Sequence, residues 1–295
     1  MGRIIFRLTN DLGIVYDRIR WEEKALLKEA RALGVEVKLV DAKQVIFDSS
    51  TSEESVKKQF GEAVLQRCIS HIRGLHVAVF LELKGVKVIN EYEVSESCGN
   101  KLRATMILER AGIPTPKSVL SLSSEYAVNG VESIGYPAVF KPVIGSWGRL
   151  IVALRDREMA QAFIDSRSQM DSSFNQVFYF QEMVKRPPRD IRCIMVGGKI
   201  VACTYRYAPP GEWRTNIAVG GKSEICPVTP ELEELVLKVS GIFGGGILGV
   251  DLMESPRGLL VNEINPTVEF RGASSASETN IPRSIIEYAL NIVRE

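Results

Sequence analysis

Two short β-patterned runs near the C-terminus carry three side chains that could together supply oxygen ligands to one site. The run at residues 247–254 contains Asp251, and the run at residues 259–266 contains Glu263 and Asn265. Residues two apart on a strand project from one face, and the proline- and glycine-containing segment between the runs predicts a hairpin that brings the first acid opposite the second run. Two carboxylates and an amide suit a hard cation such as Mg²⁺, which takes further ligands from nucleotide phosphates. The pattern therefore predicts a magnesium–nucleotide site, and the alternative is a hairpin with solvated acids.

The size and composition of the chain exclude several classes of protein. Its 295 residues suffice for two or three small domains around one cleft. The 37 basic and 36 acidic residues predict no attraction to nucleic acid or to an acidic membrane. No apolar run approaches the length of a transmembrane helix and no secretory pattern is seen at the N-terminus, so we expect a cytoplasmic protein. The five cysteines, which lack C-x-x-C spacing, predict reduced thiols rather than a disulfide framework.

The first part of the chain alternates between strand and helix patterns. Residues 12–16 form a short apolar run, and residues 21–33 carry apolar side chains on one helical face before Gly34 ends the helix. Further runs of either kind follow at residues 35–39, 63–69, 74–83 and 86–89. This alternation predicts a small open α/β sheet. Residues 1–10 are either an extra strand or a loose tail.

A glycine-containing turn joins two predicted strands in the middle of the chain. Residues 96–111 predict one helix, and the strand at residues 138–141 leads to a turn at residues 145–150. Backbone N–H groups of such a turn can fold over phosphate oxygens, and Lys141 at its entrance adds a positive charge. The turn is not a Walker loop, because no G-K-[ST] follows and no helix pattern opens behind it. The alternative interpretation is an ordinary hairpin turn.

Residues 244–249 match the dinucleotide-binding pattern G-x-G-x-x-G. That pattern must follow a strand and open a helix. Here a helix pattern at residues 231–243 comes before it, and the strand of Asp251 comes after it. We interpret the glycines as a connection from helix to strand.

The third part of the chain adds positive and polar side chains. Two β-patterned runs joined by a Gly-Gly pair predict a hairpin that carries Arg192 and Arg206. The irregular segment at residues 209–221 has the composition of a loop that could close over a ligand. Each arginine alone could be a solvated surface charge. Their convergence with the hairpin of Asp251 favours a phosphate-binding site.

Four segments resemble the ATP-grasp ligases related to the ribosomal-protein glutamate ligases, and more narrowly the LysX and ArgX ligases. They are K-P-V-I-G-S-W-G-R-L at residues 141–150, R-D-I-R-C at 189–193, N-I-A-V-G-G at 216–221 and N-E-I-N-P-T-V-E-F at 262–270. The resemblance runs from about Leu12 to the C-terminus. It implies an α/β protein of ATP-grasp fold, with a small open α/β domain at residues 1–95 and two α+β subdomains at 96–184 and 185–295 that enclose the nucleotide.

The resemblance also implies a role for each matching position. Lys101 and Lys141 would touch the ATP phosphates, under a cover formed by Gly145, Ser146, Trp147, Gly148, Arg149 and Leu150. Adenine would lie against Gln181, Glu182, Met183 and Val184, with Asp190 near the ribose. The catalytic residues that hold the γ-phosphate and the acyl phosphate would be Arg192, Arg206 and Asn216. Two Mg²⁺ ions would be held by Asp251, Glu263 and Asn265, and the substrate would be contacted by Glu269, Arg271, Gly272 and Ala273.

The implied reaction joins an amino acid to the C-terminal glutamate of the small acidic carrier protein LysW, through an acyl phosphate, in arginine or lysine biosynthesis. Gly272 favours glutamate as that amino acid, whereas the upstream Pro-Thr-Val-Glu-Phe run resembles the enzymes that use 2-aminoadipate. Both substrates, and dual specificity, therefore stay open. A glutamate ligase for another protein or a small molecule, and a nucleotide-binding regulatory module, are the competing functions. We expect a homo-oligomer. The predicted hairpin that carries Asp251, Glu263 and Asn265 is called the metal hairpin below, and we expect His71 and His76 to lie away from it as structural or surface residues.

Overall fold

The fold is seen in a computed structural model that describes residues 11–145, 148–170, 172–215 and 221–294. The predictions made for residues 1–10 and for Ser146, Trp147 and Asn216 lie outside these ranges. Within them, the strands form one parallel and two antiparallel sheets. This arrangement agrees with the mixed α/β architecture that the sequence predicts.

The N-terminal sheet is parallel, with the strand order β2-β1-β3-β4. Its strands are β1 (Leu12–Tyr16), β2 (Val37–Asp41), β3 (Ala63–Gln66) and β4 (Lys87–Ile89). Parallel neighbours need crossover connections, which here are α1 (Trp21–Ala32), α2 (Glu53–Phe60) and α3 (His71–Leu83). Ser52 and Ser70 begin α2 and α3, because each hydroxyl accepts a backbone N–H from three residues ahead. The predicted open α/β sheet is confirmed.

The helix predicted over residues 96–111 is wrong as a single helix. The chain forms α4 (Tyr92–Gly99) and α5 (Lys101–Arg110), with an extended residue, Asn100, between them. The Asn100 side chain accepts the Arg103 N–H at 3.1 Å and thereby caps α5. The break makes Lys101 the first residue of a new helix.

The middle sheet is antiparallel, with the strand order β5-β8-β6-β7. Its strands are β5 (Ser118–Ser121), β6 (Ala138–Lys141), β7 (Val152–Leu154) and β8 (Phe178–Glu182). Phe140, Phe178 and Phe180 form a core with α6 (Ser124–Ile134) and α7 (Arg157–Ser168). Lys141 is therefore the last residue of a strand that buried aromatic packing holds in place.

The third sheet is antiparallel, with the strand order β11-β10-β9-β12-β13. Its strands are β9 (Arg189–Val196), β10 (Lys199–Tyr207), β11 (Lys222–Ile225), β12 (Ile247–Ser255) and β13 (Gly258–Asn265). Gly197 and Gly198 turn the first hairpin with positive φ angles of 56° and 76°, as two-residue hairpins require. Between β11 and β12, α8 (Pro230–Ile242) packs on this sheet and runs into the glycines at residues 244–246. Those glycines connect helix to strand, as expected.

The last two helices return the chain to the N-terminal sheet. They are α9 (Arg271–Ala276) and α10 (Ile281–Arg294). Ile281, Ile285 and Ile286 of α10 are buried in one core with Leu12 and Leu26. The end of the third predicted unit thus belongs to the core of the first, and the division at residues 1–95, 96–184 and 185–295 stays a prediction.

The expectation that all cysteines are reduced is wrong for one pair. Cys193 on β9 and Cys203 on β10 face each other and form a disulfide. The remaining cysteines, Cys68, Cys98 and Cys226, are free and buried. Among the described residues, no helix is both long and apolar enough to cross a membrane.

Candidate active site

One cavity of about 790 Å³ is lined by residues of all three sheets and their connections. It brings together most of the residues that the sequence singles out. These are Lys101, Lys141, Gly145, Gly148, Arg149, Asp190, Arg192, Arg206, Asp251, Glu263, Asn265, Glu269, Arg271, Gly272 and Ala273. Of the described candidates, those that do not line it are Leu150, Gln181, Glu182, Met183 and Val184.

Asp251, Glu263 and Asn265 meet on the hairpin of β12 and β13. Asp251 pairs in register with Glu263, and the Asn265 amide lies 3.4 Å from Asp251 Oδ2. This register depends on a β-bulge: Leu252 pairs with Val261, so Asn262 is the extra residue. Bulges re-aim side chains next to active sites. Here the bulge places the two carboxylates opposite each other.

The oxygen donors of this hairpin fit Mg²⁺. Two carboxylates and an amide are hard ligands, and they leave positions open for water and phosphate oxygens. Among the described residues, no three His, Cys, Asp or Glu side chains form a metal-binding group. Mg²⁺ held by these three side chains would take its remaining ligands from water and nucleotide phosphates.

Two arginines hold the carboxylate of Asp251. Arg192, its register partner on β9, makes a bidentate contact that includes a 2.7 Å bond from Nη2 to Oδ2. Arg206 Nη2 lies 2.9 Å from the same Oδ2. Burial alone would raise the pKa of Asp251, but the charges and hydrogen bonds of the two arginines lower it. Asp251 is therefore a fixed anion facing the cavity.

Asp190 continues this charge network away from the metal hairpin. Arg206 donates from Nε and Nη2 to its two oxygens, at 2.7 Å each, and Thr215 also donates to it. The predicted contact of Asp190 with a ribose stays a prediction. The contact seen here gives it another role, which is to orient Arg206.

Lys101 and Lys141 line the cavity beside the glycine turn and the metal hairpin. Lys101 Nζ donates to the Gly145 carbonyl at 2.6 Å and lies 3.7 Å from Glu263. Lys141 Nζ donates to Gln181 at 2.5 Å and to Asn262, the bulge residue, at 2.9 Å. Burial lowers the pKa of Lys141 to about 8. Gln181 thus holds a site lysine, although it does not line the cavity itself.

The two segments expected to cover the site touch each other. Arg214, in the irregular segment, donates to the Gly148 carbonyl of the glycine turn at 3.3 Å. Arg186 donates to the Trp213 carbonyl at 3.1 Å. The described parts of both segments therefore form one roof over the cavity.

The N-terminal unit contributes residues that the sequence reasoning missed. Arg18, Arg20 and Glu22 line the cavity after the end of β1, and His71 lines it after the end of β3. We expected His71 to lie away from the metal hairpin as a structural or surface residue; it lines the same cavity, where burial and the charge of Lys101 lower the pKa of its imidazole. Their positions after the ends of predicted parallel strands could have identified them, because ligands bind at the carboxyl ends of such strands.

Two family models cover almost the whole chain. The model described as the LysX preATP-grasp domain matches residues 12–97, and the model described as the RimK-like ATP-grasp domain matches residues 98–289. The boundary between them falls in the last turn of α4, three residues before Lys101.

Similar proteins give a narrower placement. The alpha-aminoadipate–LysW ligase LysX of Sulfurisphaera tokodaii is 35% identical over 277 residues, which cover 93% of this chain and 96% of LysX. The glutamate–LysW ligase ArgX of the same organism is 34% identical over 278 residues, with 93% and 96% covered. The crystal structure of a RimK domain ATP-grasp protein from Sphaerobacter thermophilus shares the fold, with a TM-score of 0.80, 20% identity and coverage of 95% of this chain and 99% of that one. The chain therefore belongs to the RimK-like ATP-grasp family and, within it, to the group of LysX and ArgX ligases.

Proposed function

We propose that this chain is an ATP-dependent ligase that joins the amino group of an acidic amino acid to the C-terminal glutamate side chain of a LysW-type carrier protein. The observation that carries the proposal is the cavity, which Lys101 and Lys141 line together with Asp251 and its two arginines. The names of the LysX and ArgX relatives support the carrier and the two candidate amino acids.

The lysines and arginines of the cavity would neutralise the negative charge that gathers during phosphoryl transfer. A carboxylate that attacks the γ-phosphorus of ATP brings two anions together, so the phosphates must be neutralised and aligned. Lys101 and Lys141 would hold the phosphates, under the cover of residues 145–150. The catalytic Arg192 and Arg206, together with Asn216, would hold the transferring group. No covalent bond to the enzyme is needed, because the acyl phosphate is itself attacked by the incoming amine.

Asp251, Glu263 and Asn265 would hold magnesium. Bound Mg²⁺ would supply positive charge against the nucleotide phosphates. The three side chains present enough oxygen atoms for two ions, which is the number we propose. Asp251 is already held as an anion by Arg192 and Arg206, so this carboxylate needs no deprotonation step before it binds the metal.

We propose glutamate as the preferred amino acid and 2-aminoadipate as the alternative. Glu269, Arg271, Gly272 and Ala273 line one end of the cavity, and Gly272 leaves room there because it lacks a side chain. The two substrates differ by one methylene, for which a pocket supplies only about 1–3 kcal/mol of discrimination. Dual specificity is therefore physically accessible. We also propose that residues 181–184 contact the nucleotide, that the protein forms a homo-oligomer and that it is cytoplasmic.

The test is ADP release with purified carrier protein and each amino acid in turn. Turnover that requires both the carrier and glutamate, with a mass increase of the carrier by one glutamyl residue, supports the proposal. ADP release that requires the carrier and occurs with 2-aminoadipate but not with glutamate would instead indicate the reaction of lysine biosynthesis. Turnover with another acceptor, or no turnover with the carrier, would refute the carrier assignment.

A further inference from the structure

The segment at residues 266–271 connects the metal hairpin to α9 and forms one wall of the cavity. It begins directly after Asn265 and includes Glu269 and Arg271, both of which line the cavity. In the chain, the segment directly follows β13, the last strand of the third sheet. Several of its polar contacts, however, come from the N-terminal unit, which no part of the proposed phosphate chemistry uses.

Three side chains of the N-terminal unit hold the backbone of this segment. Asn90 donates to the Pro266 carbonyl at 2.7 Å, and Arg67 donates to the Val268 carbonyl at 3.1 Å. Glu22 accepts the Arg271 N–H at 3.2 Å. Both ends and the middle of the segment are thereby tied to the N-terminal unit.

Asn90 shows how closely the two units are fitted together. Its amide also donates to the Ile247 carbonyl and accepts the Ile247 N–H, at 2.7 Å each. A Cβ atom on Gly246 would lie 2.2 Å from the Asn90 oxygen. Gly246 is thus needed for the close approach of the N-terminal unit to the start of β12.

The side chains of the segment are held as well. Arg20 Nη1 lies 2.8 Å from Glu269 Oε1. Phe270 is fully buried, meets Trp21 edge to face at 5.9 Å, and lies 5.8 Å from the Arg67 guanidinium. The orientation of Glu269 toward the cavity therefore depends on a partner from the N-terminal unit.

A buried ion pair anchors these contacts. Arg67 is 4% exposed and Glu23 is fully buried, with 3.1 Å between Nε and Oε1. Glu23 also accepts from Arg20 at 2.8 Å. The rigid pair thus supports both Arg20, which reaches Glu269, and Arg67 itself, which reaches the Val268 carbonyl. Arg67 does not line the cavity.

We propose that Arg67 is a positioning residue for the incoming amino acid: it fixes the segment at residues 266–271 so that the amine is held for attack on the acyl phosphate. This inference rests on the proposed ligase function. It assigns the second half-reaction, amide formation, to a wall built by the N-terminal unit. The first half-reaction, phosphoryl transfer to the acceptor, takes place on Lys101, Lys141 and the arginines of the third sheet and does not need Arg67.

The experiment separates the two half-reactions in Arg67→Lys. We expect kcat/KM for the amino acid to fall about tenfold to a hundredfold, because small misplacements of a reactant cost that much. Positional isotope exchange in ATP, measured with the carrier but without the amino acid, should stay close to wild type. Arg189→Lys is the control, because Arg189 is also paired with a glutamate, Glu254, and does not line the cavity; both rates should be unaffected.

Parallel loss of exchange and amide formation in Arg67→Lys would overturn the proposal, and so would an unchanged kcat/KM for the amino acid in the folded variant. If Arg67→Lys does not fold, Phe270→Leu provides the same comparison, because it removes the ring that Arg67 and Trp21 contact. A wild-type protein without carrier-dependent exchange would instead refute the proposed function. The failures of the two ideas are therefore distinguishable.

Discussion

Asp251 on β12 and Arg192 on β9 face each other across a strand pair, with a 2.7 Å bond between Arg192 Nη2 and Asp251 Oδ2. Arg206 approaches the same carboxylate from β10, at 2.9 Å. A residue proposed to hold magnesium is thus also the anion that pairs with one buried arginine, Arg206, and one partly buried arginine, Arg192. Its removal has consequences for stability that the removal of Glu263 does not share.

We predict that Asp251→Ala and Glu263→Ala both abolish ADP release but differ in stability. Loss of Asp251 removes the carboxylate that Arg192 contacts and leaves the buried Arg206 with Asp190 alone, and it should cost up to about 3–5 kcal/mol. Glu263 is only partly buried and lies 3.7 Å from Lys101 Nζ, so its loss should cost about 1 kcal/mol or less. Chemical denaturation and ADP release measure the two effects. Glu254→Ala, also on β12 but outside the cavity, should retain turnover; activity in Glu263→Ala would contradict the metal assignment.

We predict that ADP affinity falls as the pH rises above about 8, because the buried Lys141, whose pKa is lowered to about 8, then loses its charge. Affinity should fall by up to about tenfold per pH unit. The free energy of unfolding changes in the opposite direction. Lys141 keeps its proton to a higher pH in the unfolded chain than in the folded one, so the folded state becomes more stable as the pH rises between the two pKa values. Calorimetric titration with ADP from pH 7 to 9.5 tests this. Lys141→Arg should remove the pH dependence, and an identical profile in that variant would rule out Lys141 as its cause.

We predict that the acceptor carboxylate is phosphorylated before the amino acid is used. Positional isotope exchange in labelled ATP should therefore require the carrier protein but not glutamate. Arg192→Lys and Arg206→Lys should reduce this exchange, because both arginines are proposed to face the transferring group. Exchange that depends on the amino acid alone would reverse the proposed order.

We predict that Gly272→Asn moves the preference from glutamate toward 2-aminoadipate. The new amide can donate a hydrogen bond to a carboxylate, and the ratio of kcat/KM values should change about tenfold to a hundredfold, the equivalent of ~1–3 kcal/mol. Competition between the two amino acids in one reaction measures the ratio. Gly241→Asn, in helix α8 with open space around it, is the matched control. An unchanged ratio in active Gly272→Asn would place selectivity elsewhere on the cavity wall.

We predict that Cys193 and Cys203 resist alkylation in the unfolded protein until a reductant is added. Iodoacetamide in denaturant should label Cys68, Cys98 and Cys226 without reductant, and Cys193 and Cys203 only after reduction, because the last two form a disulfide. Peptide mass spectrometry identifies the labelled positions. Labelling of all five cysteines without reductant would show that the pair is reduced under the conditions of preparation.

Local periodicity is enough to predict most of the strands, because alternation of apolar residues is a property of neighbouring positions. The hairpin that carries Asp251 and Glu263, and the strand that ends at Lys141, follow from it. The prediction of one helix over residues 96–111 is wrong, because Asn100 interrupts it with a cap that packs against the glycine turn through a bridge to Ile144. Periodicity does not report such a contact.

The exact pairing of side chains is decided by two bulges. A regular hairpin turning at Gly197 and Gly198 would place Cys193 opposite Ala202, but a shift between Ile200 and Ala202 brings Cys203 there instead. In the metal hairpin, the extra residue Asn262 similarly moves Glu263 opposite Asp251. A bulge depends on packing against other elements, so its position does not follow from the pattern of one strand.

The sequence by itself predicts the chemistry of the site, because the lysines, the arginines and the candidate oxygen ligands lie in segments whose composition and spacing are recognisable. Only the tertiary structure decided what surrounds them: the cavity wall from His71 and Glu22, the Arg67–Glu23 pair under the segment at residues 266–271, and the return of α10 to the first core. Those contacts join residues far apart in the chain. They are set by how the sheets bury their apolar faces against one another, which is a property of the whole molecule and has no local period.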